Sequence, residues 1–242
     1  MSFDTGKEYF QIIYPTYSHG DDFKLLGTLL DCRLSLQPCI EAILTKARPK
    51  IRALLKLKHM FNVATLIEQY KSHIWGISEY SNGAIILASA SQLRRLDKMQ
   101  RYFLHQIGVT DSEAFVVYNF APPSLRCRIG ILGFIHKRIL HQCHPSLISA
   151  MPLCQDQTNR YHDKSLETYL DGVIRHDRLY FRSLYGYMHM YNRLPQHLVD
   201  LPSVKSFQTK LTHMAKHRAQ SDDVRWRQSF EDCAEILRQC QN

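Results

Sequence analysis

The sequence has 242 residues, 45% of them hydrophobic and 22% charged, proportions that are typical of globular domains and exclude wholesale disorder. No apolar run approaches the roughly 20 residues that cross a membrane, and the polar N-terminus lacks the pattern of a signal peptide. The seven cysteines are scattered and include no CxxC pair. This usage predicts reduced thiols, in the cytoplasm or nucleus, rather than a disulfide scaffold.

The net charge is basic and unevenly distributed. Lys and Arg total 31 and Asp and Glu total 22, which gives +9, and seven of these nine charges fall within residues 35–108. A concentrated basic segment favours a polyanionic partner such as nucleic acid. The alternative is a solvated basic surface with no partner.

The N-terminal part has the pattern of β-structure. Residues 8–14 (EYFQIIY) and 23–30 (FKLLGTLL) are apolar runs on either side of a stretch rich in turn-forming residues. They predict the two strands of a hairpin. Gly27 predicts a bulge or a close backbone approach within the second strand.

Three amphipathic helices are predicted between residues 35 and 108, because apolar residues recur there at helical spacing. Their apolar faces are Ile40, Ile43, Leu44, Ala47, Ile51, Leu54 and Leu55; Val63, Leu66, Ile67, Tyr70, Ile74 and Ile77; and Ile86, Ala90, Leu93, Leu96, Phe103, Leu104 and Ile107. Pro49 predicts a kink or a restart in the first helix, and Gly108 predicts the cap of the third.

The second half of the chain is also predicted to be mostly helical. Thr110 or Asp111 can cap a short helix, and a longer helix is expected over about residues 125–142. The polar residues 155–165 predict a linker, and Ser203 is the expected cap of a helix that ends near residue 215.

The predicted fold is therefore mainly α, with a short N-terminal β-hairpin followed by a helical bundle and a helical C-terminal region. We expect five segments: the strands at 1–34, a three-helix bundle at 35–108, a helical connector at 109–154, the linker at 155–165 and a mostly helical region at 166–242.

Two of the predicted helices carry basic residues on the flank of the apolar face. These candidate nucleic-acid-binding residues are Arg48, Arg52, Lys56, Arg94, Lys98 and Arg101. With the apolar face packed, such flanks stay outward and could follow a phosphate backbone, which provides affinity but no sequence specificity. The alternative is that they only keep the protein soluble.

Catalytic and metal-binding residues are not predicted. Asp21 and Asp22 lie in a predicted turn, as the Mg²⁺-binding pair of polymerases does, but two-metal catalysis needs a further carboxylate from a separate strand. They are interpreted as a polar turn. The cluster His136, His141, Cys143, His144 and Cys154 lacks the paired spacing of structural zinc sites and is interpreted as ordinary surface and boundary residues.

Seven parts of the chain, in order, resemble the end of the palm, the thumb and the C-terminal region of non-LTR (LINE-type) retrotransposon reverse transcriptases. They are FKLLGTLLD (23–31), LSLQPCI (34–40), ARPKIRAL (47–54), YKSHIWGISEY (70–80), LRRLDKMQR (93–101), APPSLRCRIGILGFIH (121–136), and YNRLP (191–195) with SVKSF (203–207). Each part alone is short, and their shared order makes the resemblance specific.

The resemblance implies a palm remnant at 1–34, a thumb-like bundle at 35–108 and a primer-grip-like strand. That strand comprises Phe23, Lys24, Leu25, Leu26 and Gly27. It also implies a primer–template partner, RNA/DNA duplex or hybrid, and in the longer polymerase a Mg²⁺ cofactor. The family's Y-x-D-D turn and catalytic aspartates have no counterpart in this sequence, so we expect no cofactor, no membrane contact and no catalysis by this chain alone.

Two alternatives also fit this sequence. The chain could be part of an active RNA-directed DNA polymerase whose catalytic residues lie outside it, with the rest of the polymerase as its partner. It could instead be a helical protein-interaction module, which predicts no salt-dependent binding to duplexes.

Overall fold

The structure, a computed structural model, describes residues 23–25, 27–31, 35–80, 82–154, 161–168, 182–221 and 223–231. Its elements are β1 Phe23–Leu25, β2 Thr28–Leu30, α1 Gln37–Lys56, α2 Val63–Tyr70, a π-helical turn Lys71–Trp75, α3 Gly76–Glu79, α4 Asn82–Ile85, α5 Ala90–Gln106, α6 Asp111–Tyr118, α7 Pro123–Ile139, α8 Pro145–Ile148, α9 Leu184–Tyr191, α10 Gln196–Val199, α11 Val204–Gln220 and a 3₁₀ turn Val224–Gln228. The chain is mainly helical with a two-stranded antiparallel sheet near the N-terminus, which confirms the predicted fold class.

The hairpin lies wholly inside the segment that was predicted as its second strand. β1 and β2 pair antiparallel over three residues each. The prediction of one continuous strand over residues 23–30 was therefore wrong. The other predicted strand, residues 8–14, lies outside the described residues.

The chain reverses at Gly27, and the reason is local. Its φ of 83° is a conformation that glycine adopts without steric cost. A Cβ at this position would lie 3.2 Å from the ring of Tyr80, a tight contact that the exposed ring would have to shift to relieve. The main requirement for glycine here is therefore its backbone conformation, in the turn between the two strands.

Asp31 connects the hairpin to α1. Its carboxylate accepts hydrogen bonds from the backbone N–H groups of Ser35, at 3.0 Å, and Leu36, at 2.8 Å. Burial acts in the opposite direction, but these hydrogen bonds hold the pKa of Asp31 below its ordinary value. Leu36 itself has a left-handed φ of 58°, which the two bonds stabilise.

Helix α1 buries the predicted apolar face, including Ile40, Ala47 and Ile51. It continues through Pro49, so the predicted restart does not occur. Pro49 has no N–H to donate to the carbonyl of Thr45, and both residues are exposed, where water can satisfy that carbonyl.

Both other predicted faces of the bundle are confirmed in the core. Tyr70, on α2, is fully buried against the rings of Phe103 and Phe120, with centroids 4.7 Å and 5.0 Å away. Ser89 caps α5 by accepting from the N–H of Gln92, and Gly108 follows the helix with a φ of 74°.

The second half packs around α7, which contacts both α5 and α11. This helix begins at Pro123 and ends at Ile139, slightly earlier than predicted at both ends. Thr110 caps α6, and Ser203 forms a capping box at the start of α11, as expected. No helix in the described ranges has the length and apolar character needed to cross a membrane.

The described end of the predicted linker is packed against the body. His162 and Ser165 are buried, and Leu166 forms an isolated antiparallel bridge with Leu153. The Asn192 side chain donates to the Leu166 carbonyl at 2.6 Å and accepts from its N–H at 2.9 Å. Residues 155–160 lie outside the described residues.

Candidate nucleic-acid interface

Helices α1 and α5 lie side by side and run in the same direction. Near their N-terminal ends, Arg95 of α5 forms an ion pair with Glu41 of α1. Near their C-terminal ends, the Nζ of Lys58, just beyond α1, donates to the carbonyl of Gln106 at 3.4 Å. The two basic stripes predicted from sequence therefore lie on adjacent, parallel helices.

A groove of about 450 Å³ runs between these helices and is here called the α1–α5 groove. Its lining residues are Leu44, Arg48, Ile51, Arg52, Arg95, Lys98, Met99 and Tyr102. Leu44, Ile51 and Met99 are buried and give the groove an apolar floor. The remaining five residues provide cationic and aromatic walls.

Three of the cations in the groove are available to an anion. Arg48, Arg52 and Lys98 are exposed, and none of them has an ion pair within the described part of the chain. Arg95 is the exception, because Glu41 neutralises it. Unpaired cations over an apolar floor suit a ligand with phosphate groups and a less polar part.

The other three predicted basic residues lie outside the groove lining. Lys56 and Arg94 are exposed on α1 and α5. Arg101 donates to the Asp111 Oδ2 at 2.9 Å, and the same oxygen accepts from Arg227 at 2.9 Å. The charge of Arg101 is thus shared with a structural carboxylate, which makes it the least available cation of the six.

The primer-grip-like segment is separate from the groove. Phe23, Lys24 and Leu25 form β1, Gly27 forms the turn, and none of them lines the α1–α5 groove. Leu26 lies outside the described residues.

Other residues of the resembling segments meet on another side of α5, in what we call the α5–α7 joint. The Asp97 carboxylate accepts from the Ser124 N–H at 3.0 Å and from its hydroxyl at 2.7 Å. Asp97 thus caps the N-terminus of α7, because Pro122 at the cap position has no side-chain acceptor. Burial raises the pKa of Asp97 above its ordinary value. Gln100 donates to the carbonyl groups of Phe120 and Ala121.

Arg126 completes the joint. It forms an ion pair with Glu79, donates to the Ala121 carbonyl, and places its guanidinium 4.2 Å from the ring centroid of Trp75. Its Nη2 and the Trp75 Nε1 are buried without a hydrogen-bond partner among the described residues. The joint therefore connects resembling segments 70–80, 93–101 and 121–136 through buried polar contacts.

The metal-capable cluster noted in the sequence is not assembled by the fold. His136 is a core residue whose Nδ1 bonds with the Tyr191 hydroxyl at 2.7 Å and whose Nε2 bonds with the Leu201 carbonyl at 2.9 Å. It also stacks on Phe207 at 4.2 Å. His144 caps α8. Within the described ranges no group of three potential ligands could hold a metal ion, and Asp21 and Asp22 lie outside these ranges.

Sequence reasoning missed three residues of the groove lining, Arg95, Met99 and Tyr102. Tyr102 follows Lys98 by four residues, which places both on one flank of α5. Extending the basic stripe by one turn to an aromatic residue would have found it. The position of Arg95 could not be predicted from local spacing, because its partner Glu41 lies 54 residues away along the sequence.

Comparison of the chain with known protein families, with curated proteins and with solved structures gave no match in any of the three.

Proposed function

We propose that this chain is the thumb and C-terminal part of a LINE-type reverse transcriptase and binds the sugar–phosphate backbone of a primer–template. The observation that carries the proposal is the α1–α5 groove, where Arg48, Arg52 and Lys98 converge from two stripes and stay exposed without counter-charges among the described residues. The role would place the chain in the nucleus or cytoplasm.

Phosphate binding follows from the chemistry of these side chains. Guanidinium groups donate paired hydrogen bonds to phosphate oxygens, and lysine adds a compact point charge. Each neutralised phosphate releases condensed counterions, which makes the affinity fall as salt rises. Such contacts fix the position of a nucleic acid but do not read its sequence.

The α5–α7 joint supports the resemblance on which the polymerase part of the proposal rests. Asp97 and Ser124 belong to separate resembling segments, 27 residues apart, and bond directly to each other. Arg126 and Glu79 come from two such segments 47 residues apart. Motif residues that pair in the fold are consistent with one inherited architecture rather than with chance similarity of short peptides.

The proposal assigns no catalytic step to the chain. The strand Phe23–Leu25 would stand where the family has its primer grip, and the Mg²⁺-binding carboxylates would belong to the longer polymerase. We expect the 242-residue chain to extend no primer. Mg²⁺-dependent extension that is lost in Asp22→Asn would contradict this assignment.

The test of binding is fluorescence anisotropy with a labelled RNA/DNA primer–template. Arg52→Gln is expected to weaken binding by about tenfold, because one charge-assisted phosphate contact is lost. The matched control is Lys137→Gln, which removes one exposed positive charge from α7, outside the groove. Equal effects of both variants would contradict the assignment of binding to the groove. No binding by the wild type at low salt would contradict the proposal and favour a protein-interaction module.

A further inference from the structure

We infer that the α1–α5 groove holds a single unpaired strand, with a nucleobase stacked on Tyr102 while its phosphates contact Arg48, Arg52 and Lys98. The inference rests on the proposed function and specifies which part of a primer–template enters the groove: an unpaired overhang rather than the double helix.

One wall of the groove is aromatic and open to a ligand. Tyr102 is 53% exposed although it lines a groove with a buried apolar floor. A tyrosine ring offers a face on which any base can stack, so its binding energy does not depend on sequence. In a double helix the base faces are already occupied by their neighbours, and only an unpaired base can stack on a protein ring.

The groove is closed from below by an apolar floor. Leu44, Ile51 and Met99 are only 2–7% exposed, so the apolar surface that stays open to a ligand is the ring of Tyr102. The sugar and base of one strand would cover that ring, which removes apolar surface from water on both partners. A duplex that touched only the guanidinium and ammonium groups would leave the ring in water.

The size of the groove and the spacing of its cations also fit one strand. The groove encloses about 450 Å³, within the ~300–1,000 Å³ of pockets that take a single small ligand, so it accommodates about one nucleotide and is too small for a double helix. Arg48 and Arg52 are one helical turn apart, about 6 Å along the axis. This separation is close to that of successive phosphates along one strand. Lys98 on the opposite wall can contact the same strand from its other side.

The experiment compares three labelled ligands of the same duplex sequence: a blunt duplex, a duplex with a short single-stranded overhang, and a duplex whose overhang consists of abasic residues. The wild type is expected to bind the overhang more tightly than the blunt duplex. Tyr102→Leu should weaken overhang binding by roughly 5- to 150-fold, the range for loss of one base–aromatic stack, and should weaken blunt-duplex binding much less.

Two controls separate stacking from packing. Tyr102→Phe keeps the ring and should retain the overhang preference, whereas Tyr185→Leu removes a tyrosine that lies on α9, outside the groove, and should leave all three affinities unchanged. The abasic overhang should bind the wild type and Tyr102→Leu equally, because it retains the phosphates and lacks the base.

Three outcomes would overturn the inference: equal wild-type affinity for blunt and overhang duplexes, an equal loss for all ligands in Tyr102→Leu, or an unchanged overhang preference in that variant. If salt-dependent binding to the blunt duplex persists in any of these cases, the proposed function stands and only the inference fails. If the wild type binds none of the ligands, both fail.

Discussion

Helix α5 has polar residues on two sides, and the residues on the two sides differ in what they contact. Toward α1, Lys98 of the groove is exposed and has no ion pair in the described part of the chain. Toward α7, Asp97 and Gln100 are engaged with Ser124 and with backbone carbonyls. One helix thus separates residues that hold the fold together from residues that are free to bind a ligand.

The contrast is sharpest between two arginines. Arg126 in the joint has an ion pair, a backbone hydrogen bond and an aromatic face, whereas Arg52 in the groove is exposed. Both residues are arginines, and both lie in segments that resemble the reverse-transcriptase family. The difference lies in what surrounds each side chain, and it predicts which substitutions unfold the protein and which change only binding.

The largest expected effect on stability comes from Arg126. Arg126→Ala should lower the free energy of unfolding by about 2–3 kcal/mol, because Glu79 and the Ala121 carbonyl lose their partner in a largely buried site. The matched control is Arg52→Ala, which should stay within about 0.5 kcal/mol of the wild type. Urea denaturation followed by circular dichroism measures both. A similar loss in the free energy of unfolding for the two variants would contradict the distinction between the joint and the groove.

Asp97 should give the next effect. Asp97→Ala leaves the N–H and hydroxyl of Ser124 without their acceptor and should cost about 1–3 kcal/mol in the same urea measurement. Asp97→Asn keeps one acceptor oxygen and should cost less. If Asn is as damaging as Ala, the charge on Asp97 rather than its acceptor geometry stabilises the start of α7.

The sequence predicted the faces of the helices better than the contacts between distant residues. The apolar stripe of α1 and the caps at Thr110 and Ser203 follow from local spacing, and the structure has them. The hydrogen bond between Asp97 and Ser124 depends on how α5 packs against α7. The spacing of apolar residues within each helix does not report that packing.

The hairpin shows a different limit. Residues 23–30 contain an apolar run with one glycine, a pattern shared by a bulged strand and by two very short strands. The choice depends on the backbone at Gly27, whose φ of 83° reverses the chain, and an apolar pattern does not report a backbone angle. The sequence predicted that Arg48, Arg52 and Lys98 lie on basic stripes. It did not predict that the stripes of α1 and α5 line the same groove.

A smaller effect is expected from pH, at the buried His136. Burial lowers the pKa of His136 in the folded state, opposed by its bond with the Leu201 carbonyl, so the neutral ring is favoured there. As pH falls below the unfolded pKa of about 6.5, the unfolded state binds a proton that the folded state does not. The contribution of His136 to the free energy of unfolding should therefore be complete above that pH and decline below it.

The measurement is the urea midpoint at about pH 7.5 and about pH 5, in the wild type and in His136→Gln. The difference between the two midpoints should shrink in the variant, even if the variant is less stable at both. An undiminished difference would place the acid-sensitive group elsewhere, with the buried His162 as the next candidate, since burial also lowers its pKa.

The central claim is that the exposed cations of the groove, and not the net charge, bind the phosphate backbone. The most direct test is the slope of log K against log salt for a primer–template, in two triple variants of equal charge. The groove variant is Arg48→Gln/Arg52→Gln/Lys98→Gln, and the control is Lys137→Gln/Lys205→Gln/Lys210→Gln, which removes three exposed lysines from α7 and α11. Each lost phosphate contact flattens the slope by about 0.7 on a single strand and about 0.9 on a duplex, so the groove variant should lose roughly two to three units while the control keeps the wild-type slope. Equal flattening in the two variants would contradict the account.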